Sequence, residues 1–304
     1  MTDRAVPQRR VDAPIIAAVD GSAVGYHAAA WAAADAALHD RRLHLVTSIG
    51  VADGLGLAPI QTEDDMSWSH LDGERTLVEA TRIARAATGE QPPVITTEVT
   101  TDTIIGHLIQ ASEQAYAIVV GSRGLGAFRR SLLGSVSSAI TRHAKCPVTV
   151  VHSTSAIDAV SAVEPVLVGV DGTGNSVPAL EVAFEEASRR NVGLVVLHAW
   201  SDLSTALDPA IVGWDAVEQS EDAVLAESLA GYAERYPEVK VTRKLMLDRP
   251  VRSLLEASEH AQLVVVGSHG RGGFTGMLLG STSAALLQSV ECPITIVRQP
   301  ADAE

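Results

Sequence analysis

Glycine and small polar residues follow a run of valines at two places in the chain. They form VVGSRGLGAFRRSLLGS at 119–135 and VVGSHGRGGFTGMLLGS at 265–281. Both stretches share the spacing G-x2-G-x9-G-S, which begins at Gly121 and at Gly267. Because glycine lacks a Cβ, the backbone can take positive φ and come close to a ligand. Successive main-chain amides can then surround an anion, so the spacing predicts a loop that binds phosphate groups.

The residues after each loop favour a helix whose N-terminus faces the same anion. Gly134-Ser135 precedes VSSAITRHA, and Gly280-Ser281 occupies the matching place in the second stretch. The first N–H groups of a helix have no partner within it, and the helix dipole is positive at that end. The hydroxyls of Ser135 and Ser137 could add donors. A lone G-x-x-G is more often a simple turn, so the prediction depends on the loop following a buried strand, opening a helix and occurring twice.

The whole chain is a duplication. At an offset of 146 residues, Gly121–Ile140 and Gly267–Leu286 are identical at eleven of twenty positions, which is far above chance. AAVDGS at 17–22 matches VGVDGT at 168–173 at an offset of 151, so the first copy contains five extra residues. The sequence predicts a disordered tail at 1–12, copy one at 13–152, a small-residue polar linker at 153–163 and copy two at 164–300.

Short β-branched runs alternate with longer helical patterns in both copies. Strands separated by helices of that length imply parallel βαβ units, and strands apolar at nearly every position imply burial on both faces. We therefore predict an α/β fold with two tandem doubly wound domains, each built on a five-stranded parallel sheet. The predicted strands are Ile15–Val19, Leu43–Ser48, Val94–Val99, Ala117–Val120 and Val148–Val151 in copy one, and Val166–Val170, Leu194–Ala199, Val239–Met246, Leu263–Val266 and Ile294–Val297 in copy two.

An aspartate ends the first strand of each copy, Asp20 in VDGS and Asp171 in VDGT. In an open parallel sheet, ligands bind beyond the carboxyl ends of the strands, where the strand order reverses. If strands one and four flank that reversal, each aspartate faces the glycine loop of its own copy. A carboxylate accepts hydrogen bonds from ribose hydroxyls but repels phosphate, so it belongs at the nucleoside end. The alternative is that each aspartate caps the following helix, and the two roles are compatible.

Composition and missing motifs disfavour several classes of function. A formal net charge of −14 leaves no basic footprint for nucleic acid or for an anionic membrane surface. The N-terminus lacks the apolar core of a signal peptide, and no apolar run approaches the roughly 20 residues that span a bilayer. Two cysteines in 304 residues fit a reducing compartment, so we expect a cytoplasmic protein. Cys146 and Cys292 each precede a proline at the last strand, a position typical of a buried small hydrophobe.

Enzyme motifs are missing as well. No lysine follows either loop as it does in the Walker pattern G-x4-G-K-[ST], and the first strand ends in DGS rather than in G-x-G-x-x-G. The ten histidines show no H-E-x-x-H spacing, so we expect no metal held by side chains. Nothing identifies a general base, which favours a binding protein over an enzyme.

At these residues the chain resembles the universal stress protein family, over nearly all of both copies. The pattern G-x2-G-x9-G-[ST] is typical of the family's ATP-binding branch, and both copies keep it. The resemblance implies a Rossmann-like nucleotide-binding α/β fold with strand order 3-2-1-4-5, ATP lying across the switch point, and a homodimer. Because the loops offer few cations for a tetra-anion, we expect Mg²⁺ to be bound through the ATP phosphates. The resemblance leaves open whether the protein also binds an unidentified protein partner.

The resemblance also assigns roles to individual residues. Asp20 and Asp171 contact the nucleoside, Ser48 and Ala199 contact adenine, and the loops hold ribose and phosphates. Asp202, shortly after the second strand of copy two, is a further nucleoside candidate that copy one does not match. The predicted ATP-binding residues of copy one are Ala18, Asp20, Ser48, Gly121, Arg123, Gly124, Gly126, Gly134, Ser135, Val136 and Ser137. Those of copy two are Gly169, Asp171, Ala199, Asp202, Gly267, His269, Gly270, Arg271, Gly280, Ser281, Thr282 and Ser283.

The leading prediction is an ATP-binding universal stress protein that acts as a nucleotide-dependent stress-response or growth-regulating sensor. Two alternatives remain open, a slow ATPase or phosphotransferase and an interaction scaffold in which the nucleotide is structural. The loops differ in charge between the copies, with Arg123, Arg129 and Arg130 in one and His269 and Arg271 in the other. The two predicted sites therefore need not bind equally.

Overall fold

The chain is described from a computed structural model, in which it divides into two compact units, Met1–Ser153 and Thr154–Glu304. These units contain copy one and copy two. The structure describes residues 12–50, 63–124, 133–153, 155, 161–200, 214–247, 249–270 and 278–299. Most of the predicted tail and part of the predicted linker lie outside these ranges, so the predicted domain boundaries stay predictions.

Copy one is a five-stranded sheet with helices between the strands. Its elements in chain order are β1 (Ile15–Ala18), α1 (Ala23–Leu38), β2 (Leu43–Ser48), α2 (Glu63–Thr88), β3 (Ile95–Thr100), α3 (Ile104–Ala111), β4 (Ala117–Gly121), α4 (Ser135–His143) and β5 (Val148–Val151). Every pairing within this sheet is parallel, and the strand order is β3-β2-β1-β4-β5.

Copy two repeats the same order. Its elements are β6 (Val166–Val170), α5 (Val177–Arg190), β7 (Leu194–Trp200), α6 (Trp214–Ser228), α7 (Tyr232–Arg235), β8 (Val241–Leu247), α8 (Pro250–Ser258), β9 (Leu263–Gly267), α9 (Ser281–Ser289) and β10 (Ile294–Val297). The strands are again parallel, in the order β8-β7-β6-β9-β10. The predicted fold class and the predicted order 3-2-1-4-5 are therefore confirmed in both copies.

The central strands are buried on both faces, as their apolar sequences indicate. All four residues of β5 and of β10 are buried. Helix α1 packs against the sheet through alanines, and five of them, Ala28, Ala29, Ala32, Ala33 and Ala36, have no exposed surface. Small side chains let the helix approach the sheet closely, so alanine supplies packing that the few aromatic residues do not.

Six strands end one residue away from the predicted position, and two strands begin later than predicted for local reasons. β8 begins at Val241 rather than at Val239, because the Val239 N–H donates to the Tyr236 carbonyl and completes a turn there. β3 begins at Ile95 rather than at Val94, whose side chain is 65% exposed although its carbonyl accepts from the Leu43 N–H of β2. Both later starts lie on outer strands of the two sheets, where burial marks the ends of a strand less sharply.

Helix α1 begins with a side-chain cap, and helix α5 ends with a residue in the left-handed conformation. Ser22 begins α1, and its Oγ accepts a hydrogen bond from the Gly25 N–H at 3.0 Å. Asn191 ends α5 in the left-handed conformation, with φ of 54°. Among the described helices, none combines the length and the apolarity that crossing a bilayer requires.

The sequence predicts a buried packing residue at both cysteines, which holds for Cys146, whereas Cys292 is half-buried. Cys146 is buried, and burial raises the pKa of the Cys292 thiol to about 12. A thiol with that pKa is about one part in ten thousand thiolate at pH 8, and the thiolate is the reactive form.

We therefore expect neither cysteine to react with iodoacetamide in the folded protein at pH 8. Mass spectrometry should find two alkylated thiols once urea is added. Stoichiometric modification of Cys292 without denaturant would contradict this placement.

Candidate functional site

In copy one the ends of β1 and β4 bring an aspartate against the glycine loop. The two strands are neighbours, and Ala18 pairs with Val120 near their carboxyl ends. A Cβ added at Gly124 would overlap Oδ2 of Asp20, at a separation that real Cβ atoms do not show. The carboxylate and the loop backbone are thus in direct contact, and a side chain at Gly124 would separate them.

Copy two has the same arrangement. Gly169 of β6 pairs with Val266 of β9, and a Cβ at Gly270 would lie 3.3 Å from Oδ2 of Asp171. The contact is tight rather than overlapping, so the loop stands slightly further from the carboxylate than it does in copy one. An aspartate facing a glycine across the switch point is therefore a property of both copies.

The far end of each loop folds back onto its beginning. The Gly134 N–H donates to the Ser122 carbonyl at 2.7 Å, and the Gly280 N–H donates to the Ser268 carbonyl at 2.7 Å. A Cβ would lie 3.3 Å from the same carbonyl oxygen at Gly134 and 3.2 Å from it at Gly280. These glycines therefore allow the N-termini of α4 and α9 to sit directly beside the start of the loop.

Close approach, and not positive φ, is what these glycines provide. Positive φ is found instead at Gly21 (84°) and Gly172 (73°), in the turns that follow β1 and β6. The expectation that the loop glycines use the left-handed region is wrong for Gly124 and Gly270, whose φ angles lie outside it. Their contribution is the space that a missing side chain leaves.

Buried serines tie each helix to its loop. The Ser137 Oγ lies within donating distance of the Ser122 carbonyl (3.3 Å) and of the Gly134 carbonyl (3.1 Å). In copy two the Ser283 Oγ donates to the Gly267 carbonyl at 2.6 Å. The hydroxyl protons of Ser137 and Ser283 are therefore used in hydrogen bonds within the protein, at the N-termini of α4 and α9.

The residues that begin the two helices are more open. Ser135 and Ser281 are exposed, and Val136 and Thr282 are half-buried. Their amides belong to the first turn, where N–H groups have no acceptor within a helix.

One oxygen of each aspartate supports the turn before the next helix. Asp20 Oδ1 accepts from the Ser22 N–H at 3.0 Å and from the Ser22 hydroxyl at 2.6 Å. Asp171 Oδ1 accepts from the Thr173 N–H at 2.9 Å and from the Thr173 hydroxyl at 2.8 Å. In copy one Ser22 itself is the N-cap of α1. The aspartates thus orient the capping residue with Oδ1 and face the glycine loop with Oδ2.

The predicted adenine contacts lie at the ends of β2 and β7. The Ser48 hydroxyl donates to the Asp102 carbonyl at 2.7 Å and accepts from the Gly50 N–H at 3.1 Å. Ser48 therefore joins the end of β2 to the segment after β3. Ala199 is half-buried in β7 and offers no polar group of its side chain.

The remaining predicted residues fall into two groups. Arg123 is exposed, and His269 is half-buried with Nδ1 3.0 Å from the Ser268 Oγ. Gly126, Asp202 and Arg271, together with Arg129 and Arg130, lie outside the described residues.

A buried ionisable pair behind the copy-two site was missed by the sequence analysis. His198 of β7 is 1% exposed, and its Nε2 lies 2.7 Å from Oε2 of Glu221 on α6, which is 7% exposed. The equivalent residues of copy one are Thr47 and Arg75, so aligning the copies reveals an unusual pair of differences. Nothing in the sequence shows that β7 and α6 bring these two side chains together.

Comparison with known proteins places the chain among stress-response proteins. The family model described as "Universal stress protein family" matches residues 13–152 and again 162–298. The chain is 42% identical to Universal stress protein Rv2005c of Mycobacterium tuberculosis, covering 94% of this chain and 97% of that one. It is 40% identical to Universal stress protein Rv2623 of the same organism, covering 94% and 96%.

A solved structure agrees in fold. A universal stress protein from Archaeoglobus fulgidus matches 95% of this chain and 97% of its own, with a TM-score of 0.65 and 22% identity. The family model matches most of the chain in two successive segments, and the curated relatives match over nearly their whole length. The chain therefore belongs to the universal stress protein family, as a tandem member with one family domain in each copy.

Proposed function

We propose that each copy binds one ATP molecule across the switch point of its sheet, and that the protein acts as a nucleotide-dependent stress-response sensor. The observation that carries this proposal is the contact between a carboxylate and a glycine of the loop in both copies. Asp20 meets Gly124, and Asp171 meets Gly270. A carboxylate beside a loop glycine and a helix N-terminus brings hydrogen-bond acceptors and donors to the same end of the sheet.

The chemistry of the two sides fits a nucleotide. Carboxylate oxygens accept hydrogen bonds from ribose hydroxyls, whereas loop amides and the start of a helix donate to phosphate oxygens. The folded-back glycines Gly134 and Gly280 bring the N-termini of α4 and α9 to the loop, where the helix dipole favours an anion. The carboxylates, the loop amides and the helix N-termini would thus bind the nucleotide without the lysine of a Walker motif.

Two further parts of the proposal concern assembly and metal. Mg²⁺ would be held by the ATP phosphates and would offset the charge of a tetra-anion in a protein of net charge −14. The assembly would be a homodimer, to be read from the mass in light scattering.

The direct test is to count the nucleotides that the purified chain carries. We expect heating to release ATP, and anion-exchange chromatography of the supernatant to find up to two molecules per chain. Dialysed protein should bind added ATP with the same stoichiometry. Chains that neither carry nor rebind nucleotide, although folded by circular dichroism, would contradict the proposal.

Magnesium should strengthen ATP binding. We expect EDTA to weaken the affinity about tenfold, because the loops provide little positive charge to replace the cation. Isothermal titration with and without EDTA measures the change, and AMP, which carries less charge, serves as the matched control. An ATP affinity that chelation leaves unchanged would exclude the metal from the site.

A further inference from the structure

In copy two the peptide group between Val170 and Asp171 is held from both sides. The Val170 carbonyl lies 3.0 Å from Nδ1 of His198, and the Asp171 N–H donates to the Ser176 hydroxyl at 2.9 Å. The Ser176 hydroxyl in turn donates to Asp171 Oδ1 at 2.6 Å. Because a peptide group is planar, one hydrogen bond at each of its edges fixes its rotation at the end of β6. This fixes the N–Cα bond of Asp171, and the hydrogen bonds that Oδ1 accepts from Thr173 and Ser176 then fix its side chain.

The geometry around His198 fixes which groups donate. A backbone carbonyl can only accept, so Nδ1 carries the proton in the contact with Val170. An ionised carboxylate also only accepts, so the 2.7 Å contact between Nε2 and Glu221 contains a second proton. The pair is neutral overall wherever that proton sits, which suits its burial. Glu221 therefore anchors the ring, and the ring holds the Val170 carbonyl.

Copy one lacks both of the side chains that bind this peptide group in copy two. Thr47 stands where copy two has His198, and Gly25 stands where it has Ser176. A Cβ at Gly25 would lie 2.8 Å from Asp20 Oδ1, so copy one leaves no room for a side chain there. Asp20 is exposed, whereas Asp171 is half-buried. The two carboxylates face similar glycines but are supported to different degrees.

We propose that His198 is a positioning residue of the copy-two site. It holds the Val170 carbonyl, fixes the peptide that leads into Asp171 and so aims that carboxylate at the nucleoside. A group fixed before binding loses less conformational freedom on binding, so copy two is the tighter of the two sites. The inference rests on the proposed function, since it needs nucleotide in copy two.

The test uses the full chain with one copy blocked at a time. Gly124→Val leaves copy two to be titrated with Mg-ATP, and Gly270→Val leaves copy one. The amide nitrogen of glutamine matches Nε2 of His198, whereas that of asparagine matches Nδ1. His198→Gln therefore keeps the donor to Glu221, and His198→Asn keeps the donor to Val170.

In the Gly124→Val chain we expect His198→Gln to weaken ATP binding up to about tenfold, because Asp171 then loses more conformational freedom when it binds the nucleotide. His198→Asn should weaken ATP binding less than His198→Gln does. Each variant keeps only one of the two hydrogen bonds that the His198 ring makes. Both should lower the melting temperature, so stability alone does not predict the difference in affinity. In the Gly270→Val chain neither variant should change the affinity of copy one.

Each contrary outcome has its own meaning. If the Gly124→Val chain binds no ATP, copy two is not a nucleotide site and the proposed function fails there, together with this inference. If it binds ATP but His198→Gln and His198→Asn weaken binding equally, only the positioning role is overturned. A copy-one affinity equal to or tighter than that of copy two overturns the ranking of the sites.

Discussion

Replacing one loop glycine by valine is expected to weaken ATP binding at that copy about a hundredfold while the other copy still binds. At Gly124 the new Cβ would overlap Asp20 Oδ2, so the carboxylate must swing away from the loop. At Gly270 the Cβ itself would sit 3.3 Å from Asp171 Oδ2, and the valine methyl groups would extend further into the site. Overpacking of this kind costs about 1–3 kcal/mol, which at its upper end corresponds to the expected loss.

Alanine substitutions should affect the two copies to different degrees. Gly124→Ala should cost more affinity than Gly270→Ala, because only the first Cβ overlaps the carboxylate. The matched control is Gly193→Ala, whose Cβ would also lie 3.3 Å from its nearest neighbour, the Lys240 carbonyl, but at the opposite end of the sheet before β7. Equilibrium dialysis should count two nucleotides in the control and one in either valine variant. Two tight sites in a valine variant would refute the role given to these loops.

The strands were predictable where burial on both faces leaves only apolar residues. Val148–Val151 and Ile294–Val297 are strands in the structure with the bounds that their sequences predict. The strand order followed from the family resemblance rather than from the sequence pattern, since apolar runs do not show which strands are neighbours. The outer strands were less predictable because residues such as Val94 are partly exposed and their sequences alternate.

The sequence predicted which residues lie beside the glycine loop, but it did not predict why glycine is needed there. Asp20 and Gly124 are more than a hundred residues apart, and the parallel sheet brings them together as the strand-end argument expects. The reason for glycine is contact with a carboxylate or a carbonyl, which sequence cannot distinguish from a need for positive φ. Spacing identifies where a side chain is absent, but only coordinates show what occupies the space.

Differences between the copies were the least predictable feature. His198 and Glu221 come from β7 and α6, and their contact depends on how that helix packs against the strand. A buried histidine has no recognisable sequence neighbourhood, and His198 and Glu221 do not have the spacing of a metal motif. Comparing duplicated positions such as Thr47 and His198 would have identified the site of divergence, although not its geometry.

The largest loss of stability is expected from Phe184→Ala in copy two. Phe184 on α5 is 1% exposed, and its ring stacks on Tyr232 with centroids 4.5 Å apart and on Tyr236 with centroids 5.6 Å apart. Removing the ring leaves a cavity and breaks both stacks, so the free energy of unfolding of copy two should fall by about 3–5 kcal/mol. Hydrogen exchange with mass spectrometry should show the lost protection in peptides of copy two.

Copy one supplies an internal control for this substitution, because it has Ala33, fully buried, at the position equivalent to Phe184. The peptides of copy one should therefore keep their protection from exchange. Phe184→Leu refills part of the cavity, so it should restore part of the protection that Phe184→Ala removes from copy two.

The pKa of Tyr232 gives a second readout. Burial, and after it the Glu181 carboxylate, raise the pKa of Tyr232 to about 12. Opening the stack to water should move this pKa back toward 10, as measured by ultraviolet absorbance. Because the raised pKa favours the protonated phenol in the folded chain, wild-type stability should decline as pH rises from about 10 to 12. If Phe184→Ala left both the pKa and the exchange rates unchanged, the aromatic stack would not be a source of stability in copy two.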